Sequence, residues 1–72
     1  MFVNHIKIYY THEDIEEYHT TNPEITRIQV DEKGNIKIDY KQLDEKGQEY
    51  TKFIPATSYR NIKYTKEVII PK

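Results

Sequence analysis

Cysteine is absent from this 72-residue chain, so no disulfide can staple it and no thiolate can serve as nucleophile or metal ligand. Tryptophan is absent as well, and leucine and alanine, two strong helix formers, occur once each. There are two glycines, both claimed by turns, which leaves none for a phosphate-cradling loop. Ser58 is the lone serine, and nothing in the sequence places a histidine and a carboxylate beside it. No apolar run is long enough to cross a bilayer as a helix. The start, Met1-Phe2-Val3-Asn4-His5, lacks the basic and apolar regions of a signal peptide. These absences point to a cytoplasmic protein that is not an enzyme, carries no cofactor and has no contact with membrane.

What the chain does hold is a strand-forming vocabulary: eleven Ile, three Val, seven Thr and seven Tyr. Val30-Asp31-Glu32-Lys33-Gly34-Asn35-Ile36 is answered by Leu43-Asp44-Glu45-Lys46-Gly47-Gln48-Glu49. Each Asp-Glu-Lys-Gly fits a three-residue hairpin loop, a type I turn closed by Gly in the left-handed region. The first turn then opposes Asp31 to Asn35 and pairs Val30 with Ile36, Ile28 with Ile38, Thr26 with Tyr40 and Arg27 with Asp39. The second opposes Asp44 to Gln48, Tyr50 to Gln42, Lys52 to Tyr40 and Ile54 to Ile38. One face of this three-stranded meander collects Ile28, Val30, Ile36, Ile38, Tyr40, Tyr50 and Ile54, with Gln42 and Lys52 as polar exceptions. The other face is charged and polar apart from Leu43 and Phe53. That is the alternation of an antiparallel sheet with one dry face.

Residues 2–10 alternate as a strand, with Phe2, Ile6 and Ile8 on one side and His5, Lys7 and Tyr9 on the other. A helix start follows. Thr11 stands as N-cap, Asp14 in the capping-box position, and Tyr10 and Ile15 in the staple positions. Thr20-Thr21-Asn22-Pro23 ends the helix after two turns. Ile15 and Tyr18 must then pack it onto the sheet. After Pro55-Ala56-Thr57-Ser58, the residues Ile62, Tyr64, Lys66, Val68 and Ile70 alternate as a last strand. The expected architecture is a single α+β domain over residues 1–72, a small antiparallel sheet with one short N-terminal helix.

A domain this small buries only about 60 % of its unfolded surface. The helix cannot cover the whole apolar face, and no disulfide compensates. A homodimer is the expected remedy. Val68, Ile69 and Ile70, apolar on both faces, are the candidate dimer interface; the alternative is a strand tucked into its own subunit's core.

Candidate chemistry is sparse. His12, Glu16 and His19 fall on one stripe of the expected helix, but two turns separate the histidines by about 10 Å, so exposed polar residues are favoured over a metal site. Residues 1–24 carry one Lys against five acids, and residues 52–72 carry four Lys and one Arg against one Glu. Tyr9, Tyr59, Arg60, Lys63 and Tyr64 form a candidate partner surface. Tyrosine platforms among basic residues are used by single-strand nucleic-acid binders, yet the net charge is −1. An unidentified protein partner is therefore favoured over nucleic acid. The run Tyr10-Thr-His-Glu-Asp-Ile-Glu-Glu-Tyr18, followed by the twin turns, resembles the YopT-like family of small Bacillus prophage proteins over essentially the whole chain. The resemblance implies a homodimer whose subunits have a short helix and a few strands, and a prophage accessory role. It brings no activity and no functional residues.

Overall fold

The computed structural model describes residues 1–43 and 45–66. The expected side-chain faces of Gln42 and Leu43, the expected pairing of Asp44, and the dimer contact of Val68, Ile69 and Ile70 lie outside that description. The chain runs as six strands: β1 (Phe2–Tyr9), β2 (Ile15–His19), β3 (Ile25–Val30), β4 (Ile36–Leu43), β5 (Glu49–Ile54) and β6 (Asn61–Lys66). A single 3-10 turn at Ala56–Ser58 is the only helical feature among the described residues.

The α+β expectation is overturned, because the segment read as a helix is β2. Thr11 does cap: its Oγ1 accepts hydrogen bonds from the amides of Glu13 (3.2 Å) and Asp14 (2.9 Å). What it caps is a hairpin turn, closed by Tyr10 N–H donating to the Asp14 carbonyl at 2.9 Å. Two helical turns are unstable by themselves, whereas an antiparallel ladder to β1 satisfies the same backbone groups. That ladder sets Ile6 opposite Tyr18, Lys7 opposite Glu17 and Tyr9 opposite Ile15.

The meander forms with its first turn as expected. Gly34 has φ +87°, Gly34 N–H donates to the Asp31 carbonyl at 3.1 Å, and Asp31 N–H donates to the Asn35 carbonyl at 3.0 Å. Asp31 Oδ1 accepts from the amides of Lys33 and Asn35, each at 2.9 Å. Those bonds hold its carboxyl below the ordinary carboxylate range, Asn35 contributing most. Val30–Ile36, Ile28–Ile38 and Arg27–Asp39 pair in the expected register. Three pairings are corrected, at two irregularities in the ladders. Between Ile25 and Arg27 the ladder slips, so Tyr40 faces Ile25 and not Thr26. Between Asp39 and Leu43 it slips by two residues, so Lys52 faces Ile38 and Ile54 faces Ile36. An even slip leaves every side chain on its expected face.

The sheet order is β2-β1-β3-β4-β5, with β6 on the other side of β1. β1 organises this arrangement by changing partner along its length. Phe2 and Val3 pair with β3, and His5 to Tyr9 pair with β2. The change coincides with a register shift between Val3 and His5 in the ladder to β6. The irregularity puts Val3 inside with Ile6 and Ile8, and turns Phe2 out to 40 % exposure, against the expectation for Phe2. Bulges bend sheets, and this one lets the strands curl around a single core. Val3, Ile6, Ile8, Ile25, Ile28, Val30, Ile36, Ile38 and Ile54 are buried together, with Tyr10, Tyr18, Tyr40, Tyr59 and Ile62 packed against them. Tyr50 shares that face but sits at its rim, 50 % exposed, and so is not the inner residue expected.

The link from β5 to β6 is tied to the first turn. Tyr59 O–H donates to the Gly34 carbonyl at 2.6 Å, and Ala56 N–H donates to Asn35 Oδ1 at 2.9 Å. A Cβ on Gly34 would lie 2.7 Å from the Tyr59 hydroxyl, whereas one on Gly47 meets nothing within 4 Å. Both glycines have positive φ. Gly34→Ala is therefore expected to destabilise by about 2–3 kcal/mol and Gly47→Ala by about 1 kcal/mol. Urea denaturation of the two variants checks the difference, and equal losses would show that the Tyr59 contact carries no weight.

Candidate functional site

Two clusters of polar side chains stand out, one on each face of the β1–β2 hairpin. The first seals the concave side. Glu16 and Tyr18 point inward from β2, an inverted pattern for a strand whose Ile15 faces solvent at 41 % exposure. Lys52, from β5 at the far end of the sheet order, reaches across to meet them. Its Nζ donates to Glu16 Oε2 at 3.0 Å and to the Tyr18 hydroxyl oxygen at 2.7 Å. Tyr18 O–H donates to Glu16 Oε2 at 2.8 Å, and Tyr10 O–H donates to Glu16 Oε1 at 2.5 Å. Partial burial works to raise the Glu16 carboxyl, but the hydrogen bonds from Tyr10, Lys52 and Tyr18 outweigh it and hold the group below its ordinary value. Lys52 is held above its ordinary value, chiefly by the Tyr18 hydroxyl, against the opposing effect of burial. Tyr10 is raised by burial and by its bond to Glu16. These four side chains hydrogen-bond to one another across the mouth of the curl, so the cluster latches one sheet edge to the other.

The second cluster lies on the convex face of β6, β1 and β2. Cross-strand register lays out three rows there: Lys63, Lys7, Glu17; Thr65, His5, His19; and Asn61, Tyr9, Ile15. His5 and His19 are directly opposed, with ring centroids 4.0 Å apart and planes 18° from parallel. Thr20 N–H donates to the Asn4 carbonyl at 2.9 Å, which makes the neighbouring His5–His19 pair a non-hydrogen-bonded one, where side chains approach most closely. Glu17 sits on the diagonal. Its Oε2 is 2.5 Å from His5 Nε2 and 3.6 Å from His19 Nε2. The hydrogen bond to His5 holds the Glu17 carboxyl below its ordinary value, with His19 and Lys7 adding weaker pulls in the same direction. Among the described residues, His5, Glu17 and His19 are the group whose ligand atoms gather as metal donors do, all within 4.8 Å of one another.

The residues singled out from the sequence are dispersed. His12 lies in the β1–β2 turn, Glu16 faces inward and His19 outward, so that stripe does not exist. Lys7 and Lys63, directly opposed, both approach the Tyr9 ring, with Nζ at 5.6 and 5.7 Å from its centroid. Arg60 and Tyr9 line an open depression with Thr11, His12, Ile15 and Asn61. Tyr64 is opposite Ile6, on the other face of the sheet. Tyr59 is bound to the first turn. Sequence reasoning missed His5 and Glu17 because their proximity needs the hairpin register. The signal was the i, i+2 spacing of Glu17 and His19, legible only in a strand.

The comparisons with other proteins add no neighbours: no family model, characterised protein or solved structure matches the chain. No helix among the described residues is long and apolar enough to cross a membrane.

The latch carries a pH signature. Glu16 is lowered, so its contribution is complete above its ordinary value of 4.5 and is lost as pH falls through the lower folded value. Lys52 is raised, so its contribution is complete below 10.5 and is lost as pH rises beyond it. Lys52→Met is expected to cost about 1–2 kcal/mol near neutrality. That is less than for a fully buried pair, since about a third of each side chain remains in water. Urea midpoints of wild type and variant should converge as pH falls from 4.5 through the lower folded value of Glu16. A gap that persists unchanged there would assign the loss to packing and not to the ion pair.

Proposed function

We propose that the chain is a small, non-enzymatic protein-interaction module of the cytoplasm that works as a homodimer, with β5 as its docking edge. One observation carries this reading. Among the described residues β5 pairs only with β4, and it presents Phe53 and Tyr50 at 54 % and 50 % exposure. A free strand edge offers unpaired N–H and C=O groups to another strand. Phe53 lies on the convex face and Tyr50 on the concave one, so a strand added here would gain apolar contacts on both sides. The argument from a bare apolar face no longer applies, because the curl of the sheet covers that face. The dimer rests on the edge instead. An accessory role on a host protein, in a prophage setting, is supported by the resemblance to YopT-like proteins alone.

A second reading, a nucleic-acid-binding dimer, is favoured by Tyr9 between Lys7 and Lys63 on an open face. The dispersal of Tyr59 and Tyr64 from that patch weighs against it. Titration of labelled single-stranded DNA and RNA at low salt separates the two, since the interaction module predicts no change in anisotropy.

Light scattering at micromolar concentration is expected to give a dimer mass for the wild type. Phe53→Glu should give a monomer with an unchanged far-ultraviolet spectrum. A monomeric wild type overturns the proposal.

A further inference from the structure

We propose that His5, Glu17 and His19 form a site for a first-row transition-metal dication, of the zinc, nickel and copper class, on the convex face of the β1–β2 hairpin. Imidazole nitrogen with carboxylate oxygen is the donor set these ions take, and three protein ligands with a further position open is a common arrangement. The donors come from two strands of one hairpin, fixed by the ladder that pairs His5 with His19. A rigid ladder brings the ligands together before any metal arrives, which flexible loop residues cannot do.

The distances fit with small side-chain movements. Bonds of about 2.0–2.2 Å at tetrahedral angles put donor atoms about 3.4 Å apart. Glu17 Oε2 and His19 Nε2 are already 3.6 Å apart. Glu17 Oε2 and His5 Nε2, hydrogen-bonded at 2.5 Å, must open by about 1 Å. The stacked rings, 4.0 Å apart, must splay so that both Nε2 atoms turn toward one point. The side chains are 29 %, 47 % and 48 % exposed, so they have room to move and an ion has an open approach.

Charge supports the same assignment. Glu17 is a carboxylate near neutrality, as any exposed Glu is, and the His5 hydrogen bond lowers its value further. Among the described residues of these three rows the cations are Lys7 and Lys63, and both ammoniums lie against the Tyr9 ring in the neighbouring row. The remaining neighbours, Thr65, Asn61 and Ile15, are neutral. In the free protein the hydrogen between His5 Nε2 and Glu17 Oε2 occupies the place the ion would take. Binding must break that hydrogen bond.

The test is calorimetric titration of the untagged chain with zinc chloride and nickel chloride, together with thermal melts. The expected result is saturable binding of one ion per chain and a rise in melting temperature that His12→Ala retains. His19→Gln and Glu17→Gln should each weaken binding by more than ~10-fold, the loss that even outer-shell partners can cause. His5→Gln should do the same, since an amide is a poor ligand for these ions. These side chains are on the surface, so a far-ultraviolet spectrum is expected to show each variant folded. Any variant that is not folded is replaced by the Asn substitution at the same position. Absence of saturable binding by the wild type overturns the site, as does wild-type affinity in the His5→Gln, His19→Gln double variant.

Discussion

A one-layer sheet with a single apolar face must find its own cover. Here Val3, Ile6, Ile8, Ile25, Ile28, Val30, Ile36, Ile38 and Ile54 all lie on one side of the strands, and among the described residues no helix lies over them. Each buried Ile contributes about 2–3 kcal/mol relative to exposure, so leaving that face wet would cost more than a small domain's entire stability. Curling the sheet removes the cost. The strands bend until the aliphatic side chains of β1 meet those of β3, β4 and β5. The bulge between Val3 and His5, and the change of partner there from β3 to β2, make this geometrically feasible.

Curling creates a second requirement, because the ends of the sheet approach each other across the mouth of the curl. Lys52, Glu16, Tyr18 and Tyr10 meet that requirement with mutual hydrogen bonds. Their placement explains why β2 reads poorly as a strand. Its inner face carries a carboxylate and a phenol, and its outer face carries Ile15. The alternation is intact but inverted, since an acid can face inward when a cation from another strand meets it. The latch therefore belongs to the fold, and chemistry or recognition is left to the convex face and the β5 edge.

On the convex face, strand register does what loops do in larger proteins. It brings histidines fourteen positions apart in sequence into ring contact and sets a carboxylate on their diagonal. The neighbouring lysines, directly opposed, would repel one another; the Tyr9 ring between them and Glu17 opposite Lys7 offset that repulsion. The face thus separates into a histidine–carboxylate corner and a lysine–tyrosine strip. The β5 edge, with Phe53 and Tyr50, is remote from both in sheet order. A protein this small can hold two distinct surfaces because every second residue of each strand is free of the core.

The sequence by itself determined what short-range geometry controls. The first Asp-Glu-Lys-Gly turn, the Val30–Ile36 and Ile28–Ile38 register, the first strand and the described part of the last strand, Asn61–Lys66, follow from glycine's tolerance of positive φ and from period-two alternation. Thr11 was also legible as a cap, since its hydroxyl binds the amides that follow whatever comes next; whether a helix or a strand comes next is not encoded in those few residues. Tertiary structure decided that, because β1 offers Ile15–His19 a full ladder and an isolated two-turn helix offers far less. It also decided the bulges that put Val3 inside in place of Phe2 and slid Lys52 to Ile38, which depend on strands far apart in the chain. The His5–Glu17–His19 corner belongs to the same class: Glu17 and His19 share a face of β2, but His5 joins them only once the hairpin register is set.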